Sequence, residues 1–582
     1  MKKIAVLTIW MFLLVKMTVA QEQYLVGAAT RSIDPQMPPY SVSLSGFAAP
    51  KEGRFSITWE AVNAPEKTVI AALAAKKTDA NARSFTSSVH NYKGSNYYTD
   101  AAGNLFKRNA RVASGPLIKI ATEQKGKLVS ITADAENLYA LNSNDSIWRF
   151  NPAITDNPWQ LLGRNNNATY NIHLTAIACN RNQLFGITKE GNIYKALHAT
   201  DHTLSVTAMV IGFEKKKILL IGTDLTGFSL NYINTIKDIL SSKYKIPAAA
   251  ILVNASHTHF APVTRGWTTW EPFYQYPDST YLNGTLKNAL LDCVAAAMAS
   301  AQPATLKFGV GTTAIGFNRR NTKEEIRPYD NTVDLLETQS IRTKEKNILF
   351  LTGCHAVFTA TQSSIYILSA NYPGITRNIL TESGYKNALF IQGCGGDVNP
   401  VNTDFKKAGT DLASDIKKIL AGGLSNVAPN TLSYYLDEVN VHTTPWSRDS
   451  IQKFKTENTV YDTSIVEDRN IRWANLMLRS KSPLSDNMRI YVQTINIGDL
   501  KIVGLSREVV NEYGTAIRQL WPQKKVMVAG YCNDVPSYLP NDWHIEKKSY
   551  EGYDSFFWYG QPALPPTSIM STVVNKIKEN NR

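Results

Sequence analysis

Six short apolar bursts, each followed at once by polar residues able to bind a metal, constrain this 582-residue chain more than any other feature. They read KILLIGTDLTGF, AAILVNASHTH, NILFLTGCHAV, NALFIQGCGGD, LKIVGLSRE and KVMVAGYCND. Unalternating runs of this kind suit strands covered on both faces. Helical stretches separate them, such as TYLNGTLKNALLDCVAAAMASA (280–301) and AGTDLASDIKKILAGG (408–423). The grammar predicts α/β folding. Ligands of such sheets bind in the crevice beyond the strand carboxyl ends. Beyond ILVN stand His257 and His259, beyond ILFL Cys354 and His355, and beyond ALFIQ the stretch GCGGDVNP with Asp397 and Asn399. Glu508 follows IVGL, and Asn533 and Tyr538 follow VMVA.

One histidine or carboxylate after a strand is usually no more than a hydrogen-bonded side chain. Several together point to a site, and imidazole with carboxylate is an ordinary zinc donor set. Cys354, Cys394 and Cys532 stand beside the same segments and form a rival thiolate set. Small cysteines also fill space beside packed strands, and that reading is preferred. His259 lies two residues beyond His257, so in an extended segment the two face the same side.

From about 54 to 203 the pattern changes. ITADAENLYALNSNDSIWRF (131–150) and IACNRNQLFGITKEGNIYKA (177–196) match at an offset of 46, pairing Ile131 with Ile177, Leu138 with Leu184 and Ile147 with Ile193. TDAAGNLFKRN (99–109) echoes the second half of the unit. Apolar pairs around Asn/Asp/Gly turns read as antiparallel hairpins, and repetition at this length predicts a propeller-like β array. Such an insert either contacts carbohydrate through residues 99–196 or only caps a cleft.

The length exceeds one ordinary core. We expect a signal peptide over 1–20, a catalytic domain built from 21–53 and 204–582, and the inserted β-repeat segment over 54–203. The opening MKKIAVLTIWMFLLVKMTVA has the basic start, apolar run and small final residue of a secretory leader, which predicts a secreted or periplasmic protein. Its apolar run is short for a membrane span, and no later stretch qualifies. The formal charge of +14 includes Lys2, Lys3 and Lys16 of the leader, leaving about +11 without it. The longest basic run is Lys215–Lys217, with no basic helix beside it, so no nucleic-acid partner is expected. Five cysteines are too few for a disulfide scaffold.

Taken in order, VGAATRSIDPQ…LSGFA (26–48), ILLIGTDLTGF, ASHTHFAP, FNRR, CHAV…SANYPG, QGCGGDVNP, SREVVNEYG and YCNDVPSYLP…SYEG resemble the neutral ceramidases and their bacterial ceramidase-like relatives. The resemblance covers most of the chain outside about 54–203. It implies a mixed-sheet zinc hydrolase fold and an amidohydrolase acting on N-acylated sphingoid lipid. It implies one zinc ion per chain, held by His257, His355, Glu508 and Tyr538. His259 becomes a donor to the substrate or the attacking oxygen, Arg319 of FNRR a substrate contact, and Tyr550 of SYEG a neighbour of the reacting carbonyl. Asp397 would orient water or brace a ligand histidine.

The chain departs from the family at Asn399, where ceramidases carry the serine held to be the catalytic hydroxyl. An amide cannot serve as an alkoxide. Either water activated by the metal attacks directly, or Asn399 binds a different substrate through hydrogen bonds. With Arg582 soon after the last motif, we expect the family's immunoglobulin-like domain to be lacking. The expected partner is a small molecule, either a lipid or a glycoconjugate. A zinc hydrolase of carbohydrate or other non-lipid amides and esters is the rival enzyme reading. A binding protein without activity is the rival of another class.

Overall fold

The computed structural model describes residues 23–35, 43–46, 57–75, 85–112, 114–121, 126–135, 137–150, 159–164, 172–180, 183–198, 200–270, 276–357, 367–458 and 465–580. Its centre is a mixed sheet. The strands are β1 (Tyr24–Ser32), β2 (Ser205–Phe213), β3 (Lys216–Thr223), β4 (Ile251–Ala255), β5 (Gln302–Thr312), β6 (Thr332–Ser340), β7 (Lys346–Thr352) and β8 (Tyr385–Gln392). They lie in the order β4-β3-β2-β1-β5-β6-β7-β8, and a two-residue strand, Ser425–Asn426, adds alongside β5. The β3–β4 and β7–β8 pairs at the two ends are parallel, and the pairs between them are antiparallel. All nine residues of β2 are buried, as its mostly apolar, unalternating sequence suits a strand covered on both faces.

A second sheet runs β9 (Leu432–His442), β10 (Asn487–Ile497), β11 (Leu500–Leu505) and β12 (Lys525–Ala529), with only β11–β12 parallel. Each parallel pair is joined through a helix: α1 (Leu230–Tyr244) between β3 and β4, α2 (Asn371–Glu382) between β7 and β8, and α3 (Glu512–Gln519) between β11 and β12. Parallel neighbours need such a crossover. Helix α1 starts where the Ser229 side chain accepts from the Tyr232 backbone N–H.

One residue brings these three units together. Asn254, fully buried near the end of β4, accepts from the Gln392 backbone N–H at 2.8 Å and donates to the Gln392 carbonyl at 3.2 Å. The same amide donates to the Gly530 carbonyl just past β12 at 2.7 Å. A side-chain amide here does the work of a strand pairing, and it holds the carboxyl ends of β4, β8 and β12 side by side. Gly222 of β3 lies so close to β8 that a Cβ there would sit 2.3 Å from the Phe390 carbonyl oxygen. The crossing needs a residue without a side chain.

The segment between β1 and β2 folds into three successive four-stranded antiparallel sheets. The repeats found in the sequence occupy equivalent strands: Ile131 and Ile177, Leu138 and Leu184, Ile147 and Ile193 are all buried at matching places. The third sheet takes its last strand, Ile57–Ala61, from the start of the segment. The sheets pack in series, and among the described residues they form no closed sheet, so the expected propeller-like character of the segment is not confirmed. The segment leaves the central sheet where Ser32 faces Ser205 and returns at the same place. Arg149 ties it to Asp278 at 3.2 Å. All five cysteines are free thiols.

Candidate metal centre and cavity

Beyond β4 the chain turns sharply. His257 has φ +60°, a left-handed conformation uncommon for a residue with a side chain. The segment is therefore not extended, and the turn rather than strand alternation brings His259 Nε2 within 3.2 Å of His257 Nε2. His257 Nδ1 lies 2.6 Å from the Thr226 carbonyl, and His355 Nδ1 lies 2.6 Å from the Gly395 carbonyl. A carbonyl only accepts, so each Nδ1 carries the proton and each Nε2 presents a lone pair. The His257, His259 and His355 ligand atoms all lie within 4.8 Å of one another, the geometry of a group that can hold a metal.

Glu508 faces the same point. Its Oε2 is 3.1 Å from His257 Nε2 and 3.5 Å from His355 Nε2. The side chain is buried, yet neither carboxylate oxygen has a donor aligned on it. A sealed carboxylate with no donor, facing imidazole lone pairs, is costly unless a cation shares the space. The donor set therefore fits a divalent ion such as zinc. Burial lowers His355 to about 4, against the pull of Glu508, so the imidazole is neutral at pH 7.

Tyr538 completes the cluster. It stands directly opposite Glu508 in a short parallel pairing, Glu508–Val509 with Tyr538–Leu539. Its hydroxyl lies 3.5 Å from His355 Nε2 and accepts from Arg319 at 3.1 Å. Burial raises its phenol, with Arg319 opposing. His257, His355, Glu508 and Tyr538, from four separate stretches of the chain, thus meet at one point, with His259 beside them.

Arg319 crosses above this cluster, its guanidinium 5.7 Å from the Tyr538 ring and 5.9 Å from the Tyr550 ring. The buried carboxylate of Glu551 holds it, with Nε 2.8 Å and NH2 2.7 Å from Oε1. Arg320 binds the same oxygen at 2.9 Å. Against the upward push of burial, the two arginines hold Glu551 down to about 2. The two adjacent arginines thus share one carboxylate, but Arg319 is the one that lines the cavity.

Asp397 and Asn399 sit elsewhere. The fully buried Asp397 carboxylate accepts from Asn511 N at 2.8 Å, Asn511 Nδ2 at 2.7 Å and Asn318 Nδ2 at 3.0 Å. The Nδ1 groups of His257 and His355 lie instead against the backbone carbonyls of Thr226 and Gly395. Burial, then Glu512 and Glu551, push its carboxyl up to about 7. Asn399 pairs with Phe317 in a short antiparallel strand, its Oδ1 buried with no donor. Neither is among the described residues lining the cavity. Cys354, Cys394 and Cys532 are buried, and burial pushes their thiols up, so they make poor thiolate donors.

The cavity over the cluster has a volume of about 230 Å³. Its outer wall is aromatic: Trp267 and Trp270 lie 5.4 Å apart between ring centres, Trp267 and Tyr559 4.8 Å, Trp270 and Trp558 5.4 Å. The WTTW stretch (267–270) and the FFWY stretch (556–559) sit outside the strand-ending pattern, so sequence reasoning missed them, although the dense tryptophans were visible. Gly46, with φ +80°, packs against the His259 ring.

No protein-family model and no curated protein matches this chain. Solved structures do. A neutral ceramidase from Pseudomonas aeruginosa superposes with a TM-score of 0.51 at 14% identity, covering 65% of this chain and 68% of that one. A ceramidase complexed with C2 gives 0.51 at 14%, covering 65% and 69%. At that identity the likeness is one of fold, and the mixed α/β fold of this chain is shared with bacterial neutral ceramidases.

Proposed function

We propose that the chain is a secreted, zinc-dependent amidohydrolase of the ceramidase type, cutting an N-acyl amide bond. The observation that carries this reading is the buried carboxylate of Glu508, without a donor, facing the lone pairs of His257 and His355 beneath an arginine-lined cavity. His257, His355, Glu508 and Tyr538 would hold the ion, with His259 beside them. Zinc supplies Lewis acidity toward a carbonyl and toward water. The chain's own residues do the rest. Arg319 and Tyr550 face the acyl oxygen and stabilise the charge that develops there. His259 takes the proton from the attacking water and passes it to the departing amine. Glu551 holds Arg319 in place. In the net reaction, water oxygen bonds to the acyl carbon, the C–N bond breaks, and the amine leaves with the proton. The fold likeness favours a ceramide-like lipid as substrate.

Zinc content and hydrolysis of N-acyl substrates, measured on the parent and on His355→Ala, test the reading. The expected result is one zinc per parent chain with activity, and loss of both in the variant. Zinc retained in His355→Ala rejects the ligand assignment. A parent that binds zinc but cleaves no amide is instead a binding protein. No helix among the described residues is long and apolar enough to cross a membrane. Secretion rests on the leader, which lies outside the described residues.

A further inference from the structure

The wall of the cavity opposite the metal cluster carries an unmet demand for hydrogen bonds. Trp270 donates its indole N–H to the Trp558 carbonyl at 2.9 Å, and Trp473, outside the cavity, donates to Gln561 at 2.8 Å. Trp267, Trp558, Tyr550 and Tyr559 also line the cavity. Among the described residues, no hydrogen bond within the protein engages the Trp267 or Trp558 indole N–H, or the Tyr550 or Tyr559 hydroxyl. An alkyl chain packed on this wall would take water from those four groups and give nothing back, which costs free energy at each. A hydroxyl-bearing ring would meet them and pack its C–H faces on the indoles.

Size points the same way. About 230 Å³ lies below the roughly 300–1,000 Å³ of sites that enclose a drug-sized ligand. It suits one ring with a short acyl group better than two long chains. Charge excludes another occupant of aromatic walls, a quaternary ammonium. Arg319 lies 5.9 Å from the Tyr550 ring, and a divalent ion would sit behind it.

We infer that the substrate is an N-acylated amino sugar, its acyl amide over the metal cluster and its hydroxylated ring against Trp267, Trp558 and Tyr559. This rests on the amidohydrolase reading and narrows its substrate. The reaction is hydrolysis, with water adding to the acyl carbon and the C–N bond breaking to give a short carboxylic acid and the free amino sugar.

The test uses the full chain with two probes, chitobiose as the N-acetylated sugar and a short-acyl ceramide as the lipid. Binding is followed by tryptophan fluorescence with zinc removed by a chelator, and cleavage with zinc present. Trp267→Phe and Tyr559→Phe keep the aromatic packing and delete one donor each. Chitobiose is expected to perturb the fluorescence and to be deacetylated, and each variant to weaken its binding about three- to tenfold, the scale of one net hydrogen bond. Cleavage of ceramide with no binding of chitobiose overturns this inference and leaves the amidohydrolase reading intact. Chitobiose binding that both variants weaken, with neither probe cleaved, supports the sugar site and overturns the amidohydrolase reading instead. Binding of neither probe, or chitobiose binding that neither variant weakens, overturns the inference.

Discussion

The sharpest test of the metal centre is Glu508→Gln, because the metal reading and its rival predict opposite signs for the metal-free protein. Glu508 Oε2 lies 3.1 Å from His257 Nε2, and neither oxygen has an aligned donor. If the site is built for a cation, the metal-free parent carries a strained group there. The glutamine removes the charge, and its amide N–H can donate to the His257 lone pair across the same gap, a gain of about 1 kcal/mol. The metal-free variant should therefore be at least as stable as the parent. With metal the order reverses. Zinc at 1,000 times its dissociation constant stabilises the parent by about 4.1 kcal/mol. If losing an anionic ligand weakens binding about 100-fold, as removal of metal-site partners can, the same zinc concentration stabilises the variant by only about 1.4 kcal/mol.

Urea unfolding with chelator and with zinc, alongside zinc titration calorimetry, measures both signs. The rival is a buried carboxylate–imidazolium pair with no metal role. Breaking such a pair costs about 3–5 kcal/mol because the remaining charge stays buried. A metal-free Glu508→Gln protein destabilised to that extent, or one that binds zinc as tightly as the parent, refutes the metal argument.

Two further outcomes follow from the same geometry. Gly46→Ala places a Cβ 2.2 Å from His259 Cγ in a backbone at φ +80°, so the histidine ring must move; hydrolysis should fall at least tenfold while zinc content stays at the parent level, read by metal analysis beside an amidase assay. Asp397 titrates near 7 when folded against 3.8 when unfolded, so the folded state binds the extra proton between those values. Its contribution is complete below about pH 4 and is lost as pH rises through 7. Asp397→Asn should lower stability by about 1–3 kcal/mol, since an amide N–H would confront donors from Asn318 and Asn511. Urea unfolding of parent and variant at pH 5 and pH 8 should show the gap narrowing at the higher pH.

What was legible in the sequence was local. The apolar bursts at 251–254, 348–351, 388–391, 502–505 and 526–529 are strands whose carboxyl ends carry His257, His355, Glu508 and the approach to Tyr538. The 46-residue repeat is real as equivalent strands of successive sheets. What was hidden depends on contacts between distant segments. Asn254 looks like one more residue of ILVN, yet its amide joins three strand ends. Asp397 follows a strand just as the histidines do, but Asn318 and Asn511 turn it into a buried anchor. Nothing in its own segment announces them. The last strand of the third insert sheet, Ile57–Ala61, pairs with Ile193–His198, so the fourth strand of that sheet could not be read from the repeat. Glu551 stood in SYEG beside Tyr550 and drew no attention, because its value lies in two arginines far away in the chain.

The division of labour between rigid and irregular parts explains how one fold can keep its chemistry and change its substrate. The proposed ligands sit at or just beyond strand ends whose neighbours are fixed by backbone pairing: Glu508 opposite Tyr538, and His355 N–H donating to the Val398 carbonyl at 2.9 Å. Moving any of them by the fraction of an ångström that matters would require moving a sheet. The aromatic wall comes instead from the loop around Trp267 and the short helix Ser555–Trp558, which carry few pairing constraints. The insert is placed the same way. It leaves and re-enters between paired Ser32 and Ser205, so lengthening that connection disturbs no strand register, and closing a longer loop costs little more than closing a short one. Arg149 then rests on Asp278, which also accepts from the Tyr281 backbone N–H at 2.8 Å. In this chain the metal-capable residues are held by strand pairing, while the aromatic wall and the insert, the parts the proposed reading gives to substrate and access, hang on connections that tolerate change.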